Sequence, residues 1–109
     1  MKPPPALGLL QQLTMLAVAR LADDAYGATI RRELEDVTGR SVSISTVYVT
    51  LIRLEDQSLV RSRQAEPEPG RGGPGKRFFA VTSKGWTALE AARDAVAEMW
   101  KGVKAIPDR

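Results

Sequence analysis

Proline is absent from positions 6 to 66 of this 109-residue chain and then falls at 67, 69 and 74, interleaved with Gly70, Gly72, Gly73 and Gly75. Proline has no amide hydrogen to donate and its ring fixes φ, so Glu66–Gly75 can hold neither a helix nor a central strand. That stretch is a loop of about ten residues. Everything regular must therefore be built before it or after it. Pro3, Pro4 and Pro5 close the other end, so residues 1–6 are expected to be a flexible N-terminal segment.

On either side of the loop the pattern turns to period two. Residues 60–65 tolerate a strand, and Lys76–Thr82 alternates clearly, with Phe79 and Val81 on one face and Phe78 and Ala80 on the other. Together they predict an antiparallel hairpin with a long, glycine-rich tip. Upstream the period is helical. Leu7, Leu10, Leu13/Thr14, Ala17, Val18 and Leu21 mark one face of a first helix, widened by Leu9 and Leu16. Asp23 and Asp24 suit the N-terminus of a second helix. That helix is expected to bury Ile30, Leu34 and Val37 and to stop at Gly39. Ser43 is a good N-cap for a third helix, in which Val47, Leu51 and Leu54 point inward. The opposite face is expected to carry Ser45, Thr46, Val49, Thr50 and Arg53, which are short, polar and nearly uncharged. Small hydroxyls and one arginine suit a helix that enters a nucleic-acid groove, where bulk and negative charge are penalised.

Charge supports that reading once it is located. The net charge of +3 is modest, but residues 61–84 hold six basic and two acidic side chains, while the rest of the chain holds ten and eleven. The excess sits on the hairpin and its flanks. Clustered Arg and Lys there attract phosphates by Coulomb forces and counterion release. A solvated loop would explain the same cluster, and Lys84 at the start of a helix fits a solvated charge equally well.

The chain contains neither histidine nor cysteine. Zinc fingers, Ser-His-Asp and Cys-His nucleophile systems and disulfide scaffolds are thereby excluded. Scattered carboxylates such as Asp23, Asp24 and Asp36 look like helix-end charges, and one small domain offers little room for a catalytic pocket. The chain is read as a non-enzyme that needs no cofactor or metal. The longest apolar run, Met15–Ala19, is far short of the ~20 residues needed to cross a bilayer. No signal peptide is evident, so the expected compartment is the cytoplasm, with no membrane partner.

After the hairpin, Thr82 or Ser83 opens a last helix. Leu89, Ala92, Val96, Met99, Val103 and Ile106 recur at spacings of three and four, the a/d pattern of a helical seam. Run from 83 to 105, such a helix is roughly 34 Å long, too long for one small domain to cover. A homodimer paired through those positions and Trp100 is expected. The helices pair as a coiled coil or pack on the first helix of the partner; the pattern allows both.

The order helix, helix, short connection, helix, basic hairpin is that of a winged helix-turn-helix. Residues 43–55, Ser-Ile-Ser-Thr-Val-Tyr-Val-Thr-Leu-Ile-Arg-Leu-Glu, followed by Leu59-Val60, resemble the recognition-helix signature of PadR-like transcriptional regulators. Residues 76–85, Lys-Arg-Phe-Phe-Ala-Val-Thr-Ser-Lys-Gly, are similar to the family's hairpin motif. The sequence departs from the family where Ile44-Ser45 replaces Pro-Gly, where Val49 replaces a proline, and where Ala28-Thr29 replaces Tyr-Glu, the tyrosine being displaced to Tyr26. The C-terminal helix is short, as in the family's compact subgroup.

The resemblance implies a mainly α fold with a small β-hairpin (α+β). The winged helix-turn-helix spans 7–82, its wing tip lies at about 66–75, and a dimerisation helix spans 83–106. It implies a DNA-binding regulator, a homodimeric repressor that reads an inverted-repeat operator in double-stranded DNA. Ser43, Ser45, Thr46, Tyr48, Thr50 and Arg53 are the candidate contacts on the third helix; Arg63, Arg71, Lys76 and Arg77 are those on the wing. Tyr48 is either a core aromatic or a ring packed on the domain with its hydroxyl on a phosphate. Relief by a small aromatic effector is also implied, with Trp100 and Met99 as candidates to line its site. The rival is a winged-helix module that binds a protein and no DNA.

Overall fold

The computed structural model describes residues 6–70 and 72–104. Four helices and one hairpin follow in the order α1 (Leu9–Leu21), α2 (Gly27–Thr38), α3 (Ile44–Asp56), β1 (Val60–Gln64), β2 (Arg77–Val81) and α4 (Ser83–Trp100). A 3-10 turn, Ala22–Asp24, separates α1 from α2. Asp23 and Asp24 belong to that turn and do not cap α2. Thr29 does that work: its Oγ1 accepts from the amide of Tyr26, the residue that precedes the helix. At the far end, α2 closes on Gly39 in the left-handed conformation (φ 72°). For α3, the Ser43 hydroxyl accepts the Thr46 amide at 3.1 Å, the N-cap that frees no carboxylate into the first turn.

The core is assembled from one face of each of the first three helices and from the roots of the hairpin. Met15, Val18, Ile30, Leu51, Leu54 and Leu59 are fully enclosed, and Val47, Val60 and Phe79 join them. Two expectations fail at its edges. Val37 is exposed because it lies in the last turn of α2 on the wall of an open groove, facing Leu13, Leu16 and Ala17 of α1 without being covered by them. Leu9 and Leu16 are exposed too, so α1 is buried along Thr14, Met15, Ala17 and Val18 only. The Thr14 hydroxyl has no hydrogen-bond partner among the described residues.

The strands pair antiparallel with Val60 opposite Val81 and Gln64 opposite Arg77. A further amide bond, from Ala65 to the Lys76 carbonyl at 2.8 Å, carries the ladder one residue towards the tip. On the outer edge of β2, the Phe79 amide donates to the Ala25 carbonyl at 2.8 Å, which ties the hairpin to the start of α2. The Thr82–Gly85 stretch then turns the chain into α4. Thr82 Oγ1 accepts from the Gly85 amide, and a Cβ on Gly85 would collide with the Leu59 carbonyl, so the helix can cross the root of β1 only with glycine there.

Only the first two turns of α4 are covered, through Gly85, Ala88 and Leu89; every residue from Arg93 to Lys104 is exposed. The radius of gyration is 16.5 Å, against about 13 Å for a compact chain of this size. The helix ends at Trp100, five residues before the expected position. Lys101 is extended, and Gly102 takes a left-handed φ of 81° that breaks the helical repeat. Val103 therefore lies beyond the helix and is not part of a continuous seam. Ile106 and most of the 1–6 segment lie outside the described residues.

Candidate nucleic-acid interface

At 100° per residue, the buried arc of α3 runs through Val47, Thr50, Leu51 and Leu54. The remaining arc is centred on Ser45, Val49 and Ile52. Thr46 and Arg53 flank it on one side, Ile44 and Tyr48 on the other. The expected outer face needs correcting at Thr50, which is 7% exposed. Its hydroxyl donates back to the Thr46 carbonyl at 2.8 Å, satisfying itself within the helix. The outer face is also more apolar than the sequence suggested, because Val49 (47%) and Ile52 (57%) stand on it in the open.

At the N-terminal end of α3 the hydroxyls form a cluster. Ser43 Oγ donates to Thr46 Oγ1 at 2.8 Å and lies 3.2 Å from Ser45 Oγ. All three residues are exposed. Tyr48 is neither a core aromatic nor free. Its ring lies on the backbone of Gly27, the first residue of α2, where any added Cβ would come within 2.6 Å of the phenol carbon. The other half of the residue is open, at 45% exposure. Gly27 thus makes room for Tyr48, and the tyrosine hydroxyl sits at the start of α2, the electropositive end of that helix.

The wing cations divide between two faces of the hairpin, a partition set by the alternation of a strand. Arg77 shares a face with Ser62 and Phe79, on the α3 side. Its guanidinium donates to Ser62 Oγ at 2.9 Å, and Ser62 in turn donates to Glu55 Oε2 at 2.6 Å. This chain of bonds fastens the last turn of α3 to both strands. Arg63 and Lys76 lie on the opposite face. Arg63 stands over the Phe78 ring at 4.8 Å and Lys76 over the Tyr26 ring at 4.4 Å, while the two rings meet edge to face at 5.6 Å. The displaced Tyr26 therefore anchors the wing through Lys76 and Phe78, and the two rings hold one cation each. Lys84 is accounted for structurally, since its ammonium donates to the Gln57 carbonyl at the C-terminus of α3. Arg71 lies outside the described residues.

The model of the PadR-like transcriptional regulator family matches residues 15–91. The chain belongs to that family. Its members are transcriptional regulators and not enzymes. Among solved structures, a PadR-like transcription factor from Bacteroides fragilis superposes with a TM-score of 0.73 at 25% identity, covering 84% of each chain. A PadR family regulator from Clostridium difficile R20291 gives 0.66 at 23% identity over 86% of this chain and 93% of that one. RosR of H. salinarum gives 0.68 at 22% identity, over 90% of this chain and 81% of that one. No curated protein matches the sequence significantly. The family match runs from the middle of α1 into α4, so it takes in α3 and the whole hairpin.

A second feature lies at the other end of the molecule. Trp86, Arg93, Val96 and Trp100 on α4 face Gln12 and Leu16 on α1 across an open groove of about 470 Å³. Met99 does not line it and is 78% exposed. Leu89, expected in the seam, is instead spent in the protomer's own core. Ala92 is half-buried beside it, so the seam positions open to a second chain are Val96, Met99 and Trp100. Among the described residues no helix is long and apolar enough to cross a membrane.

Proposed function

We propose that this PadR-like chain acts in the cytoplasm as a homodimeric, sequence-specific DNA-binding repressor that reads an inverted-repeat operator. In each protomer α3 lies in the major groove. Ser43, Ser45 and Thr46 approach phosphates and base edges, Tyr48 sends its hydroxyl to a phosphate at the start of α2, and Arg53 lies further along. The wing follows the backbone with Arg63, Lys76 and Arg77; Arg71 at its tip is assigned the same role. Thr50 supports the helix from beneath and touches no base. The observation that carries this reading is the exposed face of α3. From Val37 to Leu54 the sequence holds no carboxylate, Arg53 flanks that face, and Arg77 stands exposed on the α3 side of the wing.

The second copy is assigned to the α1–α4 end, where Leu16, Val96, Met99 and Trp100 leave apolar surface open. A planar aromatic effector fits the groove between Trp86 and Trp100, with Arg93 available to a carboxylate. Titration of labelled duplex from the gene's own upstream region, with a scrambled control, tests the central claim. Six phosphate contacts per dimer would weaken binding about 10³-fold between roughly 50 and 200 mM salt. Binding that hardly changes with salt, or that fails to distinguish the scrambled duplex, would overturn it.

A further inference from the structure

We infer that α3 reads the C5-methyl groups of thymine, with Val49 and Ile52 as the residues that determine specificity. The inference rests on the DNA-binding reading above and deepens it. Ser45, Val49 and Ile52 fall within about 60° of one another around the helix, on the centre line of its exposed arc. Two of these three are branched aliphatic side chains about half open to solvent. Neither has a donor or an acceptor to offer. In the major groove every base edge is polar except for one group, the methyl of thymine. Pressing Val49 against a purine N7 or O6, or against a cytosine amino group, would strip water from that atom and return no hydrogen bond. Against a thymine methyl the same contact buries apolar surface on both sides.

The residues around the two aliphatics agree with that assignment. The exposed Asp56, the last residue of the helix, is the first group specifically suited to guanine or cytosine on the centre line of the face. Arg53 lies on its flank, and the first carboxylate, Glu55, is held by Ser62. Ser45 and Thr46, which can pair with any base, sit at the N-terminal end. An apolar helix face could also dock a protein. Here the charge favours DNA, since Arg53 on the helix and Arg77 on the α3 side of the wing are exposed and no carboxylate precedes Glu55 on the helix.

The test places the change in the DNA, where it cannot disturb the protein's fold. The full chain selects its preferred duplex from a randomised library, and that duplex is remade with deoxyuridine for thymidine, one position at a time. Uracil keeps every hydrogen-bonding group and lacks only the methyl. Thymine should occupy one or two neighbouring positions of each half-site, and loss of each methyl should weaken binding about four-fold. Val49→Ala should bring the thymine-to-uracil ratio towards one, and Val49→Ile should preserve it. A selected site that binds equally well with uracil throughout overturns the methyl reading and leaves DNA binding standing. A chain that binds no duplex at low salt, or that uses this face for a protein, overturns both.

Discussion

Two helices of this protein carry large apolar residues into solvent, and they do so in different electrostatic settings. On α3, Val49 and Ile52 stand among Ser45, Thr46 and Arg53, with no carboxylate until Glu55. On α4, Val96, Met99 and Trp100 stand among charges of both signs: Arg93 lines the groove beside Val96 and Trp100, Asp94 is its ion-pair partner, and Glu98 is paired with Lys101. The first four residues of α3 and its central turns set no negative charge against a polyanion, whereas the mixed charges of α4 give it nothing to prefer. Apolar exposure alone does not name a partner; the charges beside it do. The bulk of the side chains points the same way. Tryptophans suit a protein or aromatic surface, whereas valine, isoleucine and serine fit the floor of a groove.

That contrast can be broken from either side. The largest effect is expected at α4. Val96→Asp with Trp100→Asp should give monomers in sedimentation velocity and lower affinity for the inverted repeat at least about 100-fold, because the second half-site no longer binds at high effective concentration. Dimers that persist, with normal binding, would remove α4 from the interface. Next comes the wing. Arg63→Ala, Lys76→Ala and Arg77→Ala together should weaken binding about ten-fold or more on all sequences alike, and should flatten the salt dependence by about one unit of slope per cation lost. Unchanged slopes in filter binding would show that these side chains face away from phosphate.

Smaller effects separate positioning from contact. Tyr26→Leu leaves every wing cation in place but removes the ring beneath Lys76 and beside Phe78. A loss of about two- to five-fold in DNA affinity is expected, with the salt slope kept, since cation–π anchoring contributes about 0.5–1 kcal/mol at exposed sites. The smallest change should touch neither surface. Thr14→Val replaces a buried hydroxyl that lacks a partner by an isosteric methyl. It should stabilise the fold by about 1 kcal/mol and raise the melting temperature by roughly 4–8 °C, with dimerisation and DNA binding as before. A fall in melting temperature would mean that the hydroxyl is satisfied.

Legibility in the sequence followed the range of the physics. The loop at 66–75, the Ser43 cap and the stop at Gly39 were readable because each depends on one residue's own backbone chemistry. The inward row Val47, Leu51, Leu54 was readable because periodicity alone assigns it. Thr50 was misplaced because it lies at the boundary of the buried arc. Whether such a residue is covered depends on what packs beside it, and here the neighbouring elements cover it. Val37 failed for the same reason, and so did the reach of α4. Spacings of three and four continue through Val103, but Gly102 breaks the helix before it. The glycine was visible in the sequence, and the regular spacing outweighed it.

Composition and order were enough to determine a winged helix-turn-helix with a basic hairpin and no histidine or thiol chemistry, because those properties depend on which residues are present and how they repeat. Only the tertiary structure decided how the residues are shared out. It sends Arg77 to the α3 side of the wing and Arg63 with Lys76 to the other. It seats Tyr48 on Gly27, encloses Leu89 and leaves Val49 and Ile52 in the open. Burial is set by neighbours distant in the chain, and no local repeat can specify them.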